Sequence, residues 1–297
     1  MRKHIPTIFS FLFIMLLVIE LSLRFAGLID FPLYEANNEI GYIPKPSQNG
    51  LFLRKNSWKF NSKSMGASEF MPTDATDTLL IGDSIVLGGN SYKEEDKLGN
   101  QLQKSLKQPV WPISAGSWSL RNELIYLKVH PEVVKDIDQF IFILNSEDFG
   151  PASSWACEEK HPRTQPLLAS VYIMKKYIYS WDSCDVMPPE LRVPKGNWNE
   201  DLREFISMNK VRGKKIFFFL YPNKFEMLVN TSLFEKLEVY AKDLINASDN
   251  SASVYSVGRD SRWKSEFYKD EIHPTIEGTK VFADIISSPE DKIRLIK

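Results

Sequence analysis

The chain has 297 residues, of which 43% are hydrophobic and 25% are charged, and its formal net charge at pH 7 is −1. This composition is that of a globular protein and excludes an intrinsically disordered chain. The balanced charge, without a dense basic stripe, argues against nucleic acid as a partner. The length suits one α/β domain with insertions better than two independent domains.

A long apolar segment follows a short basic start. Residues 1–4 read Met-Arg-Lys-His, and within residues 5–23 only Glu20 is charged. At 1.5 Å per residue, a helix over 5–23 would cover most of a hydrocarbon core of roughly 30 Å. No position suits signal-peptide cleavage, which needs small residues at −3 and −1, so we predict an uncleaved signal anchor. The basic start would then stay in the cytoplasm, with the rest exported to the periplasmic or extracellular face.

Residues 24–77 show little periodicity of either kind. Between residues 31 and 61 proline recurs, at Pro32, Pro44 and Pro46, and asparagine is frequent. Such a composition favours irregular structure over a buried helix or strand. We therefore predict a linker or an N-terminal arm that lies on the domain.

From residue 78 onwards, short apolar runs alternate with amphipathic stretches. The runs are typical of strands buried on both faces and cover 78–81, 110–114, 139–144, 215–221 and 252–257. The stretches between or after them have helical periodicity and cover 97–106, 120–134, 198–208, 233–245 and 276–286. This alternation predicts a flavodoxin-like three-layer α/β/α sandwich with a mostly parallel, five-stranded sheet over residues 78–297. Functional groups in such sheets gather at the carboxyl ends of the strands.

An insertion at 150–196 interrupts this alternation and contains both cysteines, Cys157 and Cys184. Its place after the third strand favours either a lid or specificity loop at the active site or a packing decoration. A disulfide would suit an exported domain, but the sequence leaves its existence open. Because no cysteine or histidine cluster has metal-ligand spacing, we predict no metal site.

Ser84 lies just past the first predicted strand, in Gly82-Asp83-Ser84, where the chain turns into a helix. A serine there exposes its hydroxyl, and its own N–H lies near a helix N-terminus, which stabilises negative charge. Taken alone, Gly-Asp-Ser is also an ordinary turn.

Asp270 and His273 lie on one loop before the last predicted helix. A serine hydroxyl needs an adjacent base to act as a nucleophile, usually a histidine held by a third group. Three residues apart, Asp270 and His273 can form a local hydrogen bond that fixes the imidazole tautomer. The alternative is that Asp270 and Pro274 merely shape the entry to the helix.

Two further residues follow strands where an oxyanion hole would lie. Gly116 follows the second strand and Asn145 the third. The backbone N–H groups of Ser84 and Gly116, with the Asn145 amide, would converge on a developing oxyanion. The alternatives are a turn glycine and a residue that caps the strand end.

In this order, Gly82-Asp83-Ser84, Gly116, Asn145 and Asp270-x-x-His273 resemble the four blocks of the SGNH/GDSL hydrolase family. The resemblance covers residues 78–286 and implies hydrolysis or transfer of acyl groups without a metal or organic cofactor. It implies that Ser84 is the nucleophile, His273 the general base and Asp270 its orienting partner, with Ser84, Gly116 and Asn145 in the oxyanion hole. The third block lacks the family's flanking glycine and aspartate, so Ser146 or Asp148 is an alternative to Asn145.

Three functions are compatible with these residues. The first is an esterase acting on acyl groups, chiefly acetyl, of a cell-envelope carbohydrate or lipid. The second is an O-acyltransferase that modifies an envelope polysaccharide with a membrane-bound acyl-donor protein as its partner. The third is a non-catalytic glycan-binding module, against which the retention of Ser84, Asp270 and His273 argues. Trp118, two residues past Gly116, is the candidate for a sugar-stacking surface, and the alternative is that it packs in the core or at its rim.

Overall fold

The computed structural model describes residues 5–179, 184, 187–229 and 231–296. Its strands are β1 (Tyr34–Asn37), β2 (Gly41–Pro44), β3 (Gln48–Phe52), β4 (Asn56–Phe60), β5 (Thr78–Gly82), β6 (Val110–Ser114), β7 (Gln139–Leu144), β8 (Lys215–Leu220), β9 (Ala252–Ser256) and β10 (Arg294–Ile296). Its α-helices are α1 (Ile5–Phe25), α2 (Ser84–Leu87), α3 (Leu98–Leu106), α4 (Leu120–Val129), α5 (Pro131–Asp136), α6 (Ala169–Ile173), α7 (Trp198–Ser207), α8 (Lys224–Val229), α9 (Thr231–Ala247) and α10 (Ile276–Ser287).

The central sheet contains six strands in the order β10-β9-β8-β7-β5-β6. Strands β5 to β9 pair in parallel, whereas β10 pairs antiparallel with β9 at the edge. The predicted α/β fold with a mostly parallel sheet is confirmed, but the count of five strands is wrong. The missed strand, Arg294–Ile296, has three residues and is too short to show a period in the sequence.

Helices cover both faces of the sheet. Alternate residues of each strand point to opposite sides, and both sets are apolar and need to be buried. On β5, Leu79 and Ile81 pack in the cluster that includes helices α4, α5, α7 and α9. Leu80 packs in the other cluster, with helices α2, α3 and α10. Strand β7 divides in the same way, with Phe140 and Phe142 on the first side and Ile141 on the second. The result is a three-layer sandwich.

Strand β5 lies between β6 and β7, so the chain leaves it in one direction and later returns on its other side. In doubly wound sheets this switch point opens a crevice at the carboxyl ends of the strands, where ligands bind. The segments that follow β5, β6 and β7 carry Ser84, Gly116 and Asn145 respectively. The topology therefore brings three predicted site residues to one edge of the sheet.

The N-terminal segment begins with helix α1, which covers the predicted anchor at 5–23. Within the residues that the structure describes, no helix meets the combined length and apolarity expected of a membrane span. The transmembrane assignment therefore stays a prediction.

Between α1 and the sheet, the chain forms two hairpins, β1–β2 and β3–β4. The first hairpin packs on the domain, where the Trp118 indole N–H donates to the Tyr42 carbonyl at 2.7 Å and the Asn122 amide donates to the Ile40 carbonyl at 2.6 Å. Further along, the Tyr126 hydroxyl donates to the Lys63 carbonyl at 2.9 Å. These contacts fasten residues 40–63 to helix α4 and to the loop before it.

Candidate active site

Ser84 is the first residue of α2, and its neighbours fix the turn that exposes its hydroxyl. Asp83 caps the helix by accepting from the Ile85 amide at 2.9 Å. Helix α2 packs so close to Gly82 that a side chain at this position would not fit, since its Cβ would lie 2.6 Å from the Val86 Cγ2. The sharp strand-to-helix turn therefore depends on both Gly82 and Asp83.

His273 brings its two ring nitrogens to Ser84 and Asp270. Its Nε2 lies 2.9 Å from the Ser84 Oγ, and its Nδ1 lies 2.9 and 3.0 Å from the two carboxylate oxygens of Asp270. A carboxylate only accepts hydrogen bonds, so it holds the imidazole proton on Nδ1 and leaves the Nε2 lone pair facing the serine hydroxyl. This is the arrangement in which a histidine accepts a proton from a serine nucleophile.

Hydrogen bonds hold the loop from 268 to 274, which carries Asp270 and His273. Asp270 Oδ1 also accepts from the backbone amides of His273 at 2.8 Å and Ile272 at 3.1 Å. Burial raises the pKa of Asp270, but these amides and the imidazole outweigh it, so the pKa lies below its ordinary value. The buried hydroxyl of Tyr92 holds the far end of the loop by donating to the Pro274 carbonyl at 2.6 Å. Asp270 is therefore kept ionised as a partner for the imidazole.

Asn145 contacts Asp83, the residue that precedes Ser84. Its Nδ2 donates to Asp83 Oδ2 at 3.2 Å, and the Ser84 Oγ is 3.5 Å from the same oxygen. Of the two alternatives for this position, the Asp148 carboxylate accepts from the backbone N–H of Asn145 at 2.7 Å, and the Ser146 hydroxyl donates to the Glu226 carboxylate. Asn145 is therefore the residue of the third block whose side chain reaches the Gly-Asp-Ser turn. Its part in an oxyanion hole stays a prediction.

The loop that carries Gly116 is braced from two sides. The Tyr42 hydroxyl donates to the Gly116 carbonyl at 2.6 Å. The His161 ring stacks on Tyr42 with its centroid 3.9 Å away, and its Nε2 lies 3.8 Å from the point where a Gly116 side chain would begin. Burial lowers the pKa of His161 to about 4, so its imidazole is neutral at physiological pH. Ser117, which follows Gly116, has a φ of 62°, a left-handed conformation. The Ser153 hydroxyl stabilises it by donating to the Ser117 carbonyl.

Sequence reasoning did not find Tyr42 or His161, because neither belongs to a local motif and both come from segments outside the predicted strands. For Trp118, the structure shows core packing, the second of the two alternatives that the sequence left open. That side chain is 2% exposed, and its indole N–H is bonded to the Tyr42 carbonyl. Trp118 is therefore part of the core and offers no face on which a sugar could stack.

We expect Tyr42→Phe to lower kcat by about tenfold with little change in KM, since one hydrogen bond that orients Gly116 is lost. Steady-state kinetics on an activated aryl ester would measure it. Tyr126→Phe is the matched control, because it removes a similar hydroxyl-to-carbonyl bond at Lys63, away from Gly116. Equal losses of kcat in the two variants would show that Tyr42 acts through general stability alone.

Three carboxyl groups are buried behind the nucleophile, namely Asp83, Glu123 and Asp148. Burial raises the pKa of Asp83 to about 6, and burial raises those of Glu123 and Asp148 well above their ordinary values. Neither carboxylate oxygen of Glu123 has a hydrogen-bond partner among the described residues. Such groups favour the protonated form in the folded chain.

At these three carboxyl groups the folded chain therefore binds protons that the unfolded chain releases, so their contribution to the free energy of unfolding should rise as the pH falls from neutral through about 6. Above that range this stabilisation is lost. We expect Glu123→Gln to raise the melting temperature at pH 7 and to flatten its dependence on pH. Thermal unfolding between about pH 5 and pH 8 would measure both. A Glu123→Gln protein that melts lower at pH 7, with an unchanged slope, would contradict this explanation.

One group of potential metal ligands occurs in the described part of the chain, formed by Cys157, Glu159 and Cys184. The two sulfurs of this group are joined in a disulfide within the insertion. The structure thus adopts one of the two alternatives that the sequence left open for the cysteines.

No protein-family model matches the sequence, and no curated protein matches it. Among solved structures, the chain is similar to a protein of the lipolytic G-D-S-L family from Desulfitobacterium hafniense, with 10% identity, a TM-score of 0.43, and coverage of 71% of this chain and 98% of that one. It is similar to Axe2, an acetylxylan esterase from Geobacillus stearothermophilus, with 12% identity, a TM-score of 0.40, and coverage of 76% and 99%. The catalytic domain of the peptidoglycan O-acetyltransferase OatA from Streptococcus pneumoniae has 17% identity and a TM-score of 0.37, with coverage of 72% and 91%. These are distant likenesses, and the assignment of chemistry to this chain rests on the contacts of Ser84, His273 and Asp270.

Proposed function

We propose that the chain is a serine-dependent ester hydrolase that removes acyl groups, chiefly acetyl, from a carbohydrate or lipid of the cell envelope. The observation that carries the proposal is the 2.9 Å contact between Ser84 Oγ and His273 Nε2, with Asp270 on the other ring nitrogen. Hydrogen-bonded in this order at the switch point of the sheet, the three side chains have the geometry of an activated nucleophile.

In the first half-reaction, Ser84 Oγ attacks the ester carbonyl while its proton passes to His273 Nε2. Asp270 stabilises the imidazolium. The backbone N–H groups of Ser84 and Gly116 and the Asn145 side-chain amide stabilise the negative charge on the carbonyl oxygen by hydrogen bonding. The carbonyl re-forms as the alcohol leaves, and His273 donates its proton to that alcohol. Ser84 is left as an acyl ester.

In the second half-reaction, water attacks this ester while its proton passes to His273 Nε2, and Ser84 then leaves with that proton as the carboxylic acid forms. Accessibility supports water as the acceptor, since the side chains of His273 and Asp270 are 36% and 44% exposed. An acyltransferase would have to exclude water in favour of a sugar hydroxyl. O-acyl transfer to an envelope polysaccharide, with a membrane-bound donor protein, is the second candidate and uses the same acyl-enzyme.

We further propose that α1 attaches the protein to a membrane, with the catalytic domain on the periplasmic or extracellular side. Its support is the apolar surface of α1, where Phe11, Phe13 and Leu16 are each at least 59% exposed, and the basic residues that precede the helix. The disulfide between Cys157 and Cys184 also suits an oxidising compartment.

The test uses the full chain in detergent micelles, assayed for release of acetate from an aryl acetate and for labelling by a serine-reactive fluorophosphonate. We expect turnover and one label, which peptide mass spectrometry locates on Ser84. Ser105→Ala is the control variant. It should keep the turnover and the label on Ser84, because the Ser105 hydroxyl bonds to Asp284 on α10 and not to His273. A folded parent protein that neither turns over the ester nor labels at Ser84 would overturn the proposal. Labelling with turnover only when a sugar acceptor is added would instead favour the transferase.

A further inference from the structure

A helical segment within the insertion, together with the two residues before it, carries an apolar face that the other described parts of the chain leave partly or largely exposed. The segment comprises α6 and the wider helical turn Met174–Ile178 that continues it. The α6 face, as we define it, consists of Leu167 (90% exposed), Leu168 (49%), Val171 (38%), Met174 (41%) and Ile178 (69%). Exposed apolar side chains grouped in this way mark an interaction surface.

The opposite side of the same segment packs on the protein. Ala169 and Tyr172 are 0% and 8% exposed and lie in a small cluster with Ile29 and Phe31, which follow α1 in the chain. Because one side is anchored in this cluster, the segment cannot roll to bury the α6 face against its own domain. The face is therefore available to a partner outside the described chain.

Helix α1 is fastened directly to the beginning of α6. The Glu20 carboxylate accepts from the backbone amides of Ala169 at 2.8 Å and Ser170 at 3.0 Å, so a side chain of α1 caps the N-terminus of α6. Arg24 completes the junction, since it pairs with Glu20 at 2.7 Å and donates to the Leu167 carbonyl at 2.7 Å. This explains the one acidic residue in the apolar segment, and it fixes the height at which α6 begins along α1.

The beginning of α6 lies level with the C-terminal end of the apolar segment 5–23 of α1. Glu20 lies one helical turn before Arg24, a rise of roughly 6 Å, so α6 begins close to the basic residue that ends the apolar run of α1. Arg54 lies at the same level, because its guanidinium donates to the Phe25 carbonyl at 2.8 Å. Basic side chains beside exposed apolar ones are typical of the boundary between lipid headgroups and acyl chains, where amphipathic helices bury their apolar face about 5–10 Å deep.

We propose that the α6 face lies in the interfacial layer of a lipid bilayer beside α1, so that the protein contacts the membrane through the insertion as well as through its N-terminal helix. The occupant is lipid because the face is joined to α1 by the Glu20 cap and by Arg24, and α1 exposes apolar side chains along its length. The inference rests on the membrane attachment proposed above. It assigns the insertion, which also places His161 beside Gly116, to the side of the domain that faces the membrane.

The test places a single environment-sensitive fluorophore on the full chain, reconstituted in vesicles of phosphatidylcholine and phosphatidylglycerol. Met174→Cys reports on the α6 face, Ser10→Cys on α1, and Lys104→Cys on the exposed surface of α3. Labelling without a reductant keeps the disulfide of Cys157 and Cys184 intact. We expect lipids with a nitroxide near the headgroup end of the acyl chain to quench the label at 174 about twofold or more relative to the label at 104.

The outcomes separate this inference from the attachment that it presupposes. A quenched label at 10 with an unquenched label at 174 would overturn the inference and leave α1 as an anchor. Unquenched labels at both positions would overturn the attachment itself. A label at 174 that is shielded from an aqueous quencher but not reached by the nitroxide lipids would assign the face to a second protein copy and would also overturn the lipid proposal. Adding Glu20→Ala, which removes the cap, should reduce the quenching at 174 and leave that at 10 unchanged.

Discussion

Replacing Ser84 by alanine is expected to lower kcat for aryl acetate hydrolysis by about four to six orders of magnitude, and His273→Ala should cost about as much. The two side chains are expected to act as one unit, because the hydroxyl proton would leave along the 2.9 Å contact between Oγ and Nε2. Either change removes the activated nucleophile. Steady-state rates at saturating substrate would measure both losses.

The double variant gives the sharper result. If Ser84 and His273 act together, removing both should cost little more than removing one. Additive losses would show that the two residues contribute separately and would contradict the acyl-enzyme mechanism. Retained folding is to be checked by thermal unfolding of each variant, since Ser84 begins α2 and His273 lies in the loop before α10.

The second large effect is expected at Asp270. Asp270→Asn should lower kcat by about two to four orders of magnitude, because an amide that donates to Nδ1 moves the imidazole proton to Nε2, where it blocks the acceptance of the serine proton. The loss should lie towards the lower end of that range, since the Asp270 side chain is 44% exposed and water has access to it. The measurement is kcat with KM determined in parallel.

Asp270→Ala is the informative comparison. It creates room for water, which can accept from Nδ1 and so does not select the wrong tautomer. We therefore expect the alanine variant to be less impaired than the asparagine variant. The reverse order would mean that the carboxylate acts mainly by shaping the loop through its bonds to the amides of Ile272 and His273.

Much of the fold was predictable because its signals are local. The parallel strands β5 to β9 are short apolar runs, and α3, α4, α7, α9 and α10 have clear helical periodicity. The contact of Asp270 with His273 is local too, and the ends of parallel strands bring Ser84 and Asn145 together without any knowledge of side-chain packing. These are the features that a sequence pattern can carry.

The features that sequence did not predict depend on packing between distant segments. Tyr42 acts on Gly116 across 74 positions of the chain, and His161 approaches the same loop from the insertion. The sequence left the role of Trp118 open for the same reason, since only the packed structure shows that the first hairpin covers it. Glu20 appeared as a polar interruption of an apolar run, although its carboxylate caps α6.

The contact between Tyr42 and Gly116 also bears on how the chain can be divided. A fragment of residues 78–297 contains Ser84, Asp270 and His273. It lacks the Tyr42 hydroxyl, which bonds to the Gly116 carbonyl, and the Tyr42 carbonyl, which accepts from the Trp118 indole N–H. Cleavage by a protease between residues 63 and 78 would leave residues 40–63 attached to helix α4 and the loop before it through noncovalent contacts alone. Residues before the sheet are therefore expected to be needed for the geometry of the Gly116 loop, although they carry none of Ser84, Asp270 and His273.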